Sequence, residues 1–271
     1  MKEKIKIIDN TFSHSILGYC SDFQVSENFS WDRGPLNKED NVVITDNFLS
    51  SNIPPSKNKI AWLIEPMCVA PQHYEYVKNN LMKFDYILTH EKTLLDIDYP
   101  TQFIPFGCCW IPKDEQKVYS KSKNISIISS NKTFTDGHKL RHEVIEKFGN
   151  KMDVFGRGYT PVEFKIEGLK DYKFSVVIEN CKRDYWFTEK LIDCFATGTI
   201  PIYWGCPSIS DFFNVDGMLI FDNMDELESI LDSCNQSLYE SKLESIKENF
   251  EKCKNFLLPD DHVYNFVKES L

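Results

Sequence analysis

The sequence predicts an α/β fold built from parallel sheets whose faces are covered by helices. Short apolar runs rich in β-branched and aromatic residues alternate with segments of helical periodicity along most of the 271 residues. This alternation is typical of strand–helix–strand units, in which the strands are parallel and buried on both faces. A chain of this length suggests two domains, and a polar segment near its middle separates two alternating halves.

The first half contains five predicted strands and a helix. The helix is indicated by PQHYEYVKNNLMKF, in which Pro71 suits a first turn. Between residues 11 and 34 several aromatic side chains occur, and the sequence leaves open whether they form a sugar-stacking platform or part of the core. The predicted strands are IKII (5–8), NVVIT (41–45), KIAWLI (59–64), DYILT (85–89) and TQFIP (101–105).

The domain boundary is predicted after Pro112. The segment KDEQKVYSKSKN that follows is polar, charged and poor in large apolar residues, as linkers are. We therefore predict an N-terminal, acceptor-side domain over residues 1–118 and a C-terminal, nucleotide-sugar-binding domain over residues 119–271. The last helix is a candidate to pack back on the N-terminal domain.

The second half alternates more regularly. One helix presents Leu140, Val144 and Phe148 on a single face and ends at Gly149, and a later helix, TEKLIDCFAT, ends at Gly198. The predicted strands are ISIIS, MDVFG, FSVVI, TIPIYW and GMLIF.

Composition excludes several functions. The net charge is −10 and no block of Lys and Arg is long enough to follow a phosphate backbone, so nucleic acid is not an expected partner. Nine cysteines without C-x-x-C spacing predict neither a disulfide framework nor a zinc site, but reduced thiols in a cytoplasmic protein. No apolar run suggests a signal peptide or a transmembrane helix. If the protein associates with a membrane, we expect peripheral contact with its surface.

Charged residues cluster where a predicted strand gives way to a helix. Glu179 and Asn180 follow the strand, Thr188 can cap the next helix, and Glu189 and Lys190 lie in its first turn. In parallel α/β sheets ligands bind at such strand ends, and a helix start favours a bound phosphate. A bound anion would explain a lysine in this first turn. The alternative is that Lys190 simply extends into solvent beside Glu189, an acid that is favourable at a helix start.

This stretch resembles the signature of the α1,3/1,4-fucosyltransferases, glycosyltransferase family 10. The family motif reads F-E-N, six residues, a branched residue, T-E-K-L and a helix leading into a strand V/I-P-V/I-Y-W-G. Its parts match Glu179-Asn180, residues 188–191 and residues 200–205. A weaker resemblance includes MDVFGRG (152–158). The resemblance covers the C-terminal half of the chain, and in the N-terminal half only the surroundings of KIAWLIEP.

The resemblance implies a GT-B enzyme, with two Rossmann-like domains whose parallel sheets face a central cleft. It implies inverting transfer of L-fucose from GDP-fucose to a hydroxyl of a glycan or glycolipid acceptor. By the same resemblance Arg141 pairs with the diphosphate, Asn180 lies near the nucleoside, and Glu189 and Lys190 hold ribose or fucose and diphosphate. Trp186 occupies a position that usually carries tyrosine.

The chemistry independently asks for fixed cations. Negative charge grows on the departing phosphate as the glycosidic bond breaks, and positioned cations stabilise it. Arg141 offers a bidentate fork and Lys190 a point charge, so we expect no metal ligands and no required cofactor, a divalent metal being at most stimulatory. The D-x-D string Asp96-Ile97-Asp98 lies in the other half and is interpreted as an exposed turn.

The acceptor hydroxyl needs a base. Glu65 follows the strand KIAWLI, and W-L-I-E-P resembles the family's W-x-x-x-E-S-P segment, with one residue fewer and no serine. A carboxylate at a strand end can have its pKa raised by apolar neighbours. Asp46, which also follows a strand, is the strongest of three alternatives, the others being Glu75 and Glu91.

Two other functions stay open. The same fold could use another nucleotide sugar, or the chain could be a relative that binds a nucleotide sugar or glycan without turnover. A dinucleotide-binding Rossmann protein is disfavoured, because no G-x-G-x-x-G follows any predicted strand.

Overall fold

The chain folds into two compact units, each built on one parallel sheet. The computed structural model describes residues 2–10, 12 and 15–271. The first unit comprises the chain up to Phe106 together with Leu258–Leu271, and the second comprises Gly107–Leu257. The predicted α/β class with two parallel sheets is confirmed. Within the described residues, no helix combines the length and apolarity needed to cross a membrane.

The first unit contains a six-stranded sheet in the order β2-β1-β3-β4-β5-β6, with every pair parallel. Strands β3 and β4 are central and apolar, and Val42, Ile44 and Ala61 are fully buried in them. The elements are β1 (Glu3–Ile8), β2 (Phe29–Asp32), β3 (Asn41–Thr45), β4 (Asn58–Trp62), α1 (Pro71–Asn79), β5 (Tyr86–Thr89), α2 (Lys92–Leu95) and β6 (Thr101–Phe103).

The second unit contains a five-stranded parallel sheet in the order β11-β10-β9-β7-β8. Its central strand β9 is buried on both faces, as the continuous apolar run FSVVI predicts. The elements are β7 (Lys123–Ile128), α3 (Asp136–Phe148), β8 (Asp153–Phe155), β9 (Tyr172–Ile178), α4 (Glu189–Thr197), β10 (Ile200–Trp204), β11 (Leu219–Ile220), α5 (Met224–Ser233), α6 (Gln236–Ser241) and α7 (Leu243–Cys253).

The last helix, α8 (Pro259–Ser270), belongs to the first unit. It contributes a buried carboxylate: Asp260 Oδ1 accepts a hydrogen bond from Trp31 Nε1 at 2.6 Å, and both oxygens accept from the Tyr19 amide at 3.1 and 3.2 Å. Burial raises the pKa of Asp260 to about 6. The ring of Trp31 also stacks on that of Trp62, with centroids 6.0 Å apart, so these indoles are core packing rather than an exposed platform.

The predicted boundary between residues 118 and 119 lies inside the second unit. Residues before it already pack there, because Cys109 and Ile111 are buried in the core of that unit. The amide of Trp110 donates to Asp193 Oδ1 on α4 at 2.7 Å. The polar composition after Pro112 therefore marks a surface segment of the second unit rather than a linker.

Most of the cysteines are buried thiols. The free, buried cysteines include Cys109, Cys194 and Cys253, whose pKa values burial raises. Among the residues that the structure describes, no group of three His, Cys, Asp or Glu side chains could hold a metal ion.

Candidate active site

The carboxyl edge of the second sheet brings the predicted motif together at the start of α4. Strand β9 ends at Ile178, and Glu179 follows it with a side chain that is 0% exposed. Glu179 Oε1 accepts from the Thr188 amide at 2.9 Å, and Oε2 accepts from Thr188 Oγ1 at 2.7 Å. Thr188 in turn caps α4, accepting from the Lys190 amide as predicted.

Glu179 therefore supports the site without lining it. Burial raises its pKa, while Lys190 Nζ at 3.7 Å from Oε2 and the bonds from Thr188 oppose that shift. The carboxylate of Glu179 holds Thr188, the N-cap residue of α4, in place. The glutamate of the Glu-Asn pair thus sets the position of the α4 N-terminus.

Glu189 and Lys190 form an ion pair in the first turn of α4. Lys190 Nζ lies 3.2 Å from Glu189 Oε1 and 3.1 Å from Thr188 Oγ1. Burial raises the pKa of Glu189, but the charges of Lys165 and Lys190 outweigh burial and bring it well below its usual range. Lys190 is therefore not a freely solvated side chain, because it is held at the helix start by oxygen atoms.

Arg141 and Asn180 also meet at this edge. Arg141 is only 4% exposed, and its Nε and Nη2 atoms donate to the Ile178 carbonyl at 2.9 and 2.5 Å. Nη2 also donates to Asn180 Oδ1 at 2.9 Å. The guanidinium thereby fixes the turn after β9. The contact of Arg141 with a diphosphate, which the family resemblance implies, remains a prediction.

Helix α3 presses closely on the same turn. The Gly137 amide donates to the Asn180 carbonyl at 3.0 Å, and a Cβ atom at Gly137 would lie 1.7 Å from the Glu179 carbonyl oxygen. Because the carbonyl oxygen belongs to the backbone and the position of a Cβ is set by the backbone of its own residue, neither atom can move aside as the end of a flexible side chain would. A glycine at the start of α3 is what allows the helix to approach the Glu-Asn turn.

We expect Gly137→Ala to lower the free energy of unfolding by about 3 kcal/mol or more, at the upper end of the cost of overpacking. Gly149→Ala is the matched control, since Gly149 has φ of −60° and its Cβ would meet only methyl groups at 3.7 and 3.9 Å. That change should be neutral or slightly stabilising. Denaturant unfolding of both variants measures the difference, and equal stabilities would contradict the close approach.

Two charged residues of this site escaped the sequence interpretation. Lys165 lies in a 3₁₀ turn, Lys165–Gly168, and its Nζ is 3.1 Å from Glu189 Oε1 and 3.4 Å from Asp193 Oδ2. Burial raises the pKa of Asp193 to about 6 against the opposing charge of Lys165. A possible signal was the acid at position 193 within the otherwise apolar run 191–196, because a buried acid requires a partner.

Trp186 is buried, with 1% of its surface exposed, and the residue before it, Tyr185, has φ of +61°. The Tyr185 amide donates to Ser208 Oγ at 2.9 Å, which anchors this loop to the segment after β10. The predicted contact of Trp186 with a donor stays a prediction.

The candidate bases lie in the first unit. Asp46 follows β3 and has φ of +41°, a conformation that is uncommon outside glycine. Its Oδ1 accepts from the Ile64 amide at 3.4 Å, and a further bond comes from the Glu65 amide. Burial raises the pKa of Asp46 to about 6 despite these bonds. Asp46 and Glu65 are therefore neighbours at the carboxyl ends of adjacent strands.

The remaining candidates differ in exposure. Glu75 is exposed on α1, whereas Glu91 is buried beside α2 and accepts from Thr93 Oγ1 at 3.3 Å. Asp96 and Asp98 are both exposed, as predicted for a turn.

Comparisons with known proteins show which family the second unit resembles. Residues 118–240 match the model described as glycosyltransferase family 10 (fucosyltransferase), C-terminal part. The match spans Arg141, Asn180, Glu189 and Lys190. Residues 118–240 therefore resemble the C-terminal part of the family 10 glycosyltransferases. The resemblance predicted from the sequence is thereby confirmed.

Curated relatives match this chain over part of their own length. The α-(1,3)-fucosyltransferase FucT of Helicobacter pylori is 43% identical over 72 residues, which are 26% of this chain and 15% of that protein. The α-(1,3)-fucosyltransferase B of Drosophila melanogaster is 24% identical over 220 residues, covering 71% of this chain and 48% of that protein. The chain therefore spans less than half the length of these relatives.

Solved structures match the fold over nearly the whole chain. A crystal structure of an α1,3-fucosyltransferase matches with a TM-score of 0.57 and 18% identity, covering 98% of this chain and 90% of that one. The trehalose-6-phosphate synthase OtsA matches with a TM-score of 0.59 and 10% identity, covering 87% and 74%. At these identities the likeness concerns the fold alone, and it agrees with the predicted GT-B class.

Proposed function

We propose that the protein is an inverting glycosyltransferase that transfers L-fucose from GDP-fucose to a hydroxyl group of a glycan. The observation that carries this proposal is the start of α4 inside a family 10 domain, where Thr188 and Lys190 surround a helix N-terminus. The names of the relatives, both α-(1,3)-fucosyltransferases, favour fucose as the sugar.

The start of α4 suits a diphosphate for two physical reasons. The helix dipole favours an anion at a helix N-terminus, and Lys190 adds a full positive charge. Further cations lie nearby: after burial, the charges of Arg141, Lys132 and Lys190 lower the pKa of His138 to about 4. Such cations can stabilise the charge that grows on a departing nucleoside diphosphate, without requiring a metal ion.

Asn180 is suited to the nucleoside part of the donor. Its Oδ1 is occupied by Arg141, and its side chain is half-buried at the end of β9. The amide nitrogen at the other end of the side chain is a donor for a ribose or base oxygen.

The transfer step then needs one base. The acceptor oxygen forms a bond to the anomeric carbon from the face opposite the diphosphate, the bond from that carbon to the phosphate oxygen breaks, and GDP leaves with the bonding electron pair. Glu65 takes the acceptor's proton in this proposal. Asp46 holds the backbone at Ile64 and Glu65 by accepting from their amides.

A turnover assay tests the proposal against a protein that only binds its ligand. The protein is incubated with GDP-fucose and a library of end-labelled oligosaccharides, and free GDP and labelled products are measured. We expect GDP release that depends on the oligosaccharide, and a product whose anomeric configuration, assigned by NMR, is opposite to that of the donor. Binding of GDP-fucose without GDP release for any oligosaccharide would favour the binding-only alternative.

A further inference from the structure

Lys165 is a cation near the start of α4 that belongs to none of the family motif segments. It lies 24 residues before Glu189 in the chain, in the turn that precedes β9. Its side chain is held on three sides: by Glu189 Oε1 at 3.1 Å, by Asp193 Oδ2 at 3.4 Å, and by the ring of Trp110, whose centroid lies 4.6 Å from Nζ. Its position is therefore well determined.

Lys165 balances two acids that would otherwise repel each other. Glu189 and Asp193 are four residues apart on α4, so their side chains lie on the same face of the helix, where like charges are unfavourable. Only 18% of the Glu189 side chain and 2% of the Asp193 side chain are exposed. Water screens such charges weakly, and a partner cation is needed.

Glu189 Oε1 is shared between two lysines. Lys165 Nζ lies 3.1 Å from it and Lys190 Nζ lies 3.2 Å from it. If Lys190 moves onto a phosphate, Glu189 keeps Lys165 as its partner. Without Lys165, the same movement would leave Glu189 with no cation at this distance. The attraction of Glu189 would then oppose the movement of Lys190 onto the phosphate.

We propose that Lys165 is a positioning residue of the donor site, which neutralises Glu189 so that Lys190 remains available to the diphosphate; this inference rests on the proposed function. The competing interpretation is a purely structural one, in which Lys165 only compensates Asp193 and thereby anchors the Trp110 amide. The two interpretations differ in which acid matters.

Calorimetric titration with GDP, and competition with guanosine, separates them. We expect Lys165→Met to lower affinity for GDP by about tenfold or more while affinity for guanosine stays within about twofold, because only the diphosphate depends on Lys190. Lys165→Arg should retain affinity for GDP. Lys247→Met, which removes a lysine from an exposed pair with Glu244, is the matched control and should change neither.

The decisive measurement uses the double variant Lys165→Met/Glu189→Gln. With the acid at 189 neutralised, loss of Lys165 should change affinity for GDP by no more than about twofold relative to Glu189→Gln alone. A purely structural role through Asp193 predicts the same loss in both backgrounds, and that result would overturn the proposal. Equal losses for GDP and guanosine in Lys165→Met would also overturn it.

Two further measurements keep the test conclusive. If Lys165→Met does not fold, Lys165→Met/Asp193→Asn removes one charge of each sign and still leaves Glu189 without Lys165; it should show the same loss of affinity for GDP, and unchanged affinity would overturn the proposal. If the wild-type protein does not bind GDP, or Lys190→Met binds it normally, the proposed function itself has failed. Normal GDP binding and a defective Lys190→Met beside an unaffected Lys165→Met would refute the role of Lys165 alone.

Discussion

Lys190→Met is expected to lower the rate of sugar transfer from GDP-fucose by on the order of 10²–10³-fold, the cost of losing one preorganised charge at the leaving group. The substitution keeps the length and apolar stem of the side chain, so α4 and its Thr188 cap should remain intact. Steady-state kinetics and GDP affinity measure the effect. Lys147→Met is the control, because Lys147 is an exposed lysine 3.4 Å from Glu228.

Arg141→Ala should also weaken GDP binding and transfer, but the structure adds a second consequence. Arg141 donates to the Ile178 carbonyl and to Asn180, so its loss leaves a buried carbonyl without this donor and should lower the free energy of unfolding. Lys190→Met should not lower it to the same extent. Wild-type affinity for GDP in Lys190→Met would refute the placement of the diphosphate at the start of α4.

Glu65→Gln is expected to reduce transfer by about 10²–10⁴-fold, because the amide preserves the shape of the side chain but cannot accept the proton of the acceptor. GDP binding should be unchanged, since Glu65 belongs to the first unit and the predicted nucleotide contacts to the second. Asp46→Asn should retain most of the transfer rate, because an amide oxygen can still accept from the Ile64 amide.

The pH profile distinguishes the two carboxylates. Burial raises the pKa of Asp46 to about 6. A base acts in its deprotonated form, so if Asp46 were the base, kcat/KM would fall as pH decreases below about 6, and this limb would disappear in Asp46→Asn. We expect Asp46→Asn to keep the acidic limb of the wild-type enzyme. Loss of transfer in Asp46→Asn but not in Glu65→Gln would move the base to Asp46.

The strands, the α4 cap and the Glu-Asn turn were predictable because their signals are local. β-branched runs mark β7 and β9, and Thr188 and Gly198 bound α4 by side-chain capping and a φ of +70°. Strand β2 was missed because it has only four residues. What makes it a strand is its parallel pairing with β1, which lies 26 residues earlier in the chain. Local patterns do not reveal such pairings.

Long-range charge pairing explains the other omissions. Lys165 looks like one surface lysine among many until the fold brings it to Glu189 and Asp193. The boundary was misplaced for a related reason: the apolar residues before Pro112 gave no sign of which core they join, and Ile111 joins that of the second unit. In both cases the deciding contact is distant in sequence.

Nucleotide preference tests the central claim most directly, because guanosine binding is the first step that a fucosyltransferase requires. Thermal unfolding is measured with GDP, GDP-fucose, GDP-mannose, UDP, CDP and UDP-sugars, each in large excess. A ligand at a hundred times its dissociation constant stabilises the folded protein by about 2.7 kcal/mol. We predict stabilisation by the GDP compounds, with GDP-fucose at least equal to GDP-mannose, and little change with UDP compounds. Stabilisation by UDP-sugars alone would contradict fucosyl transfer and leave only the fold.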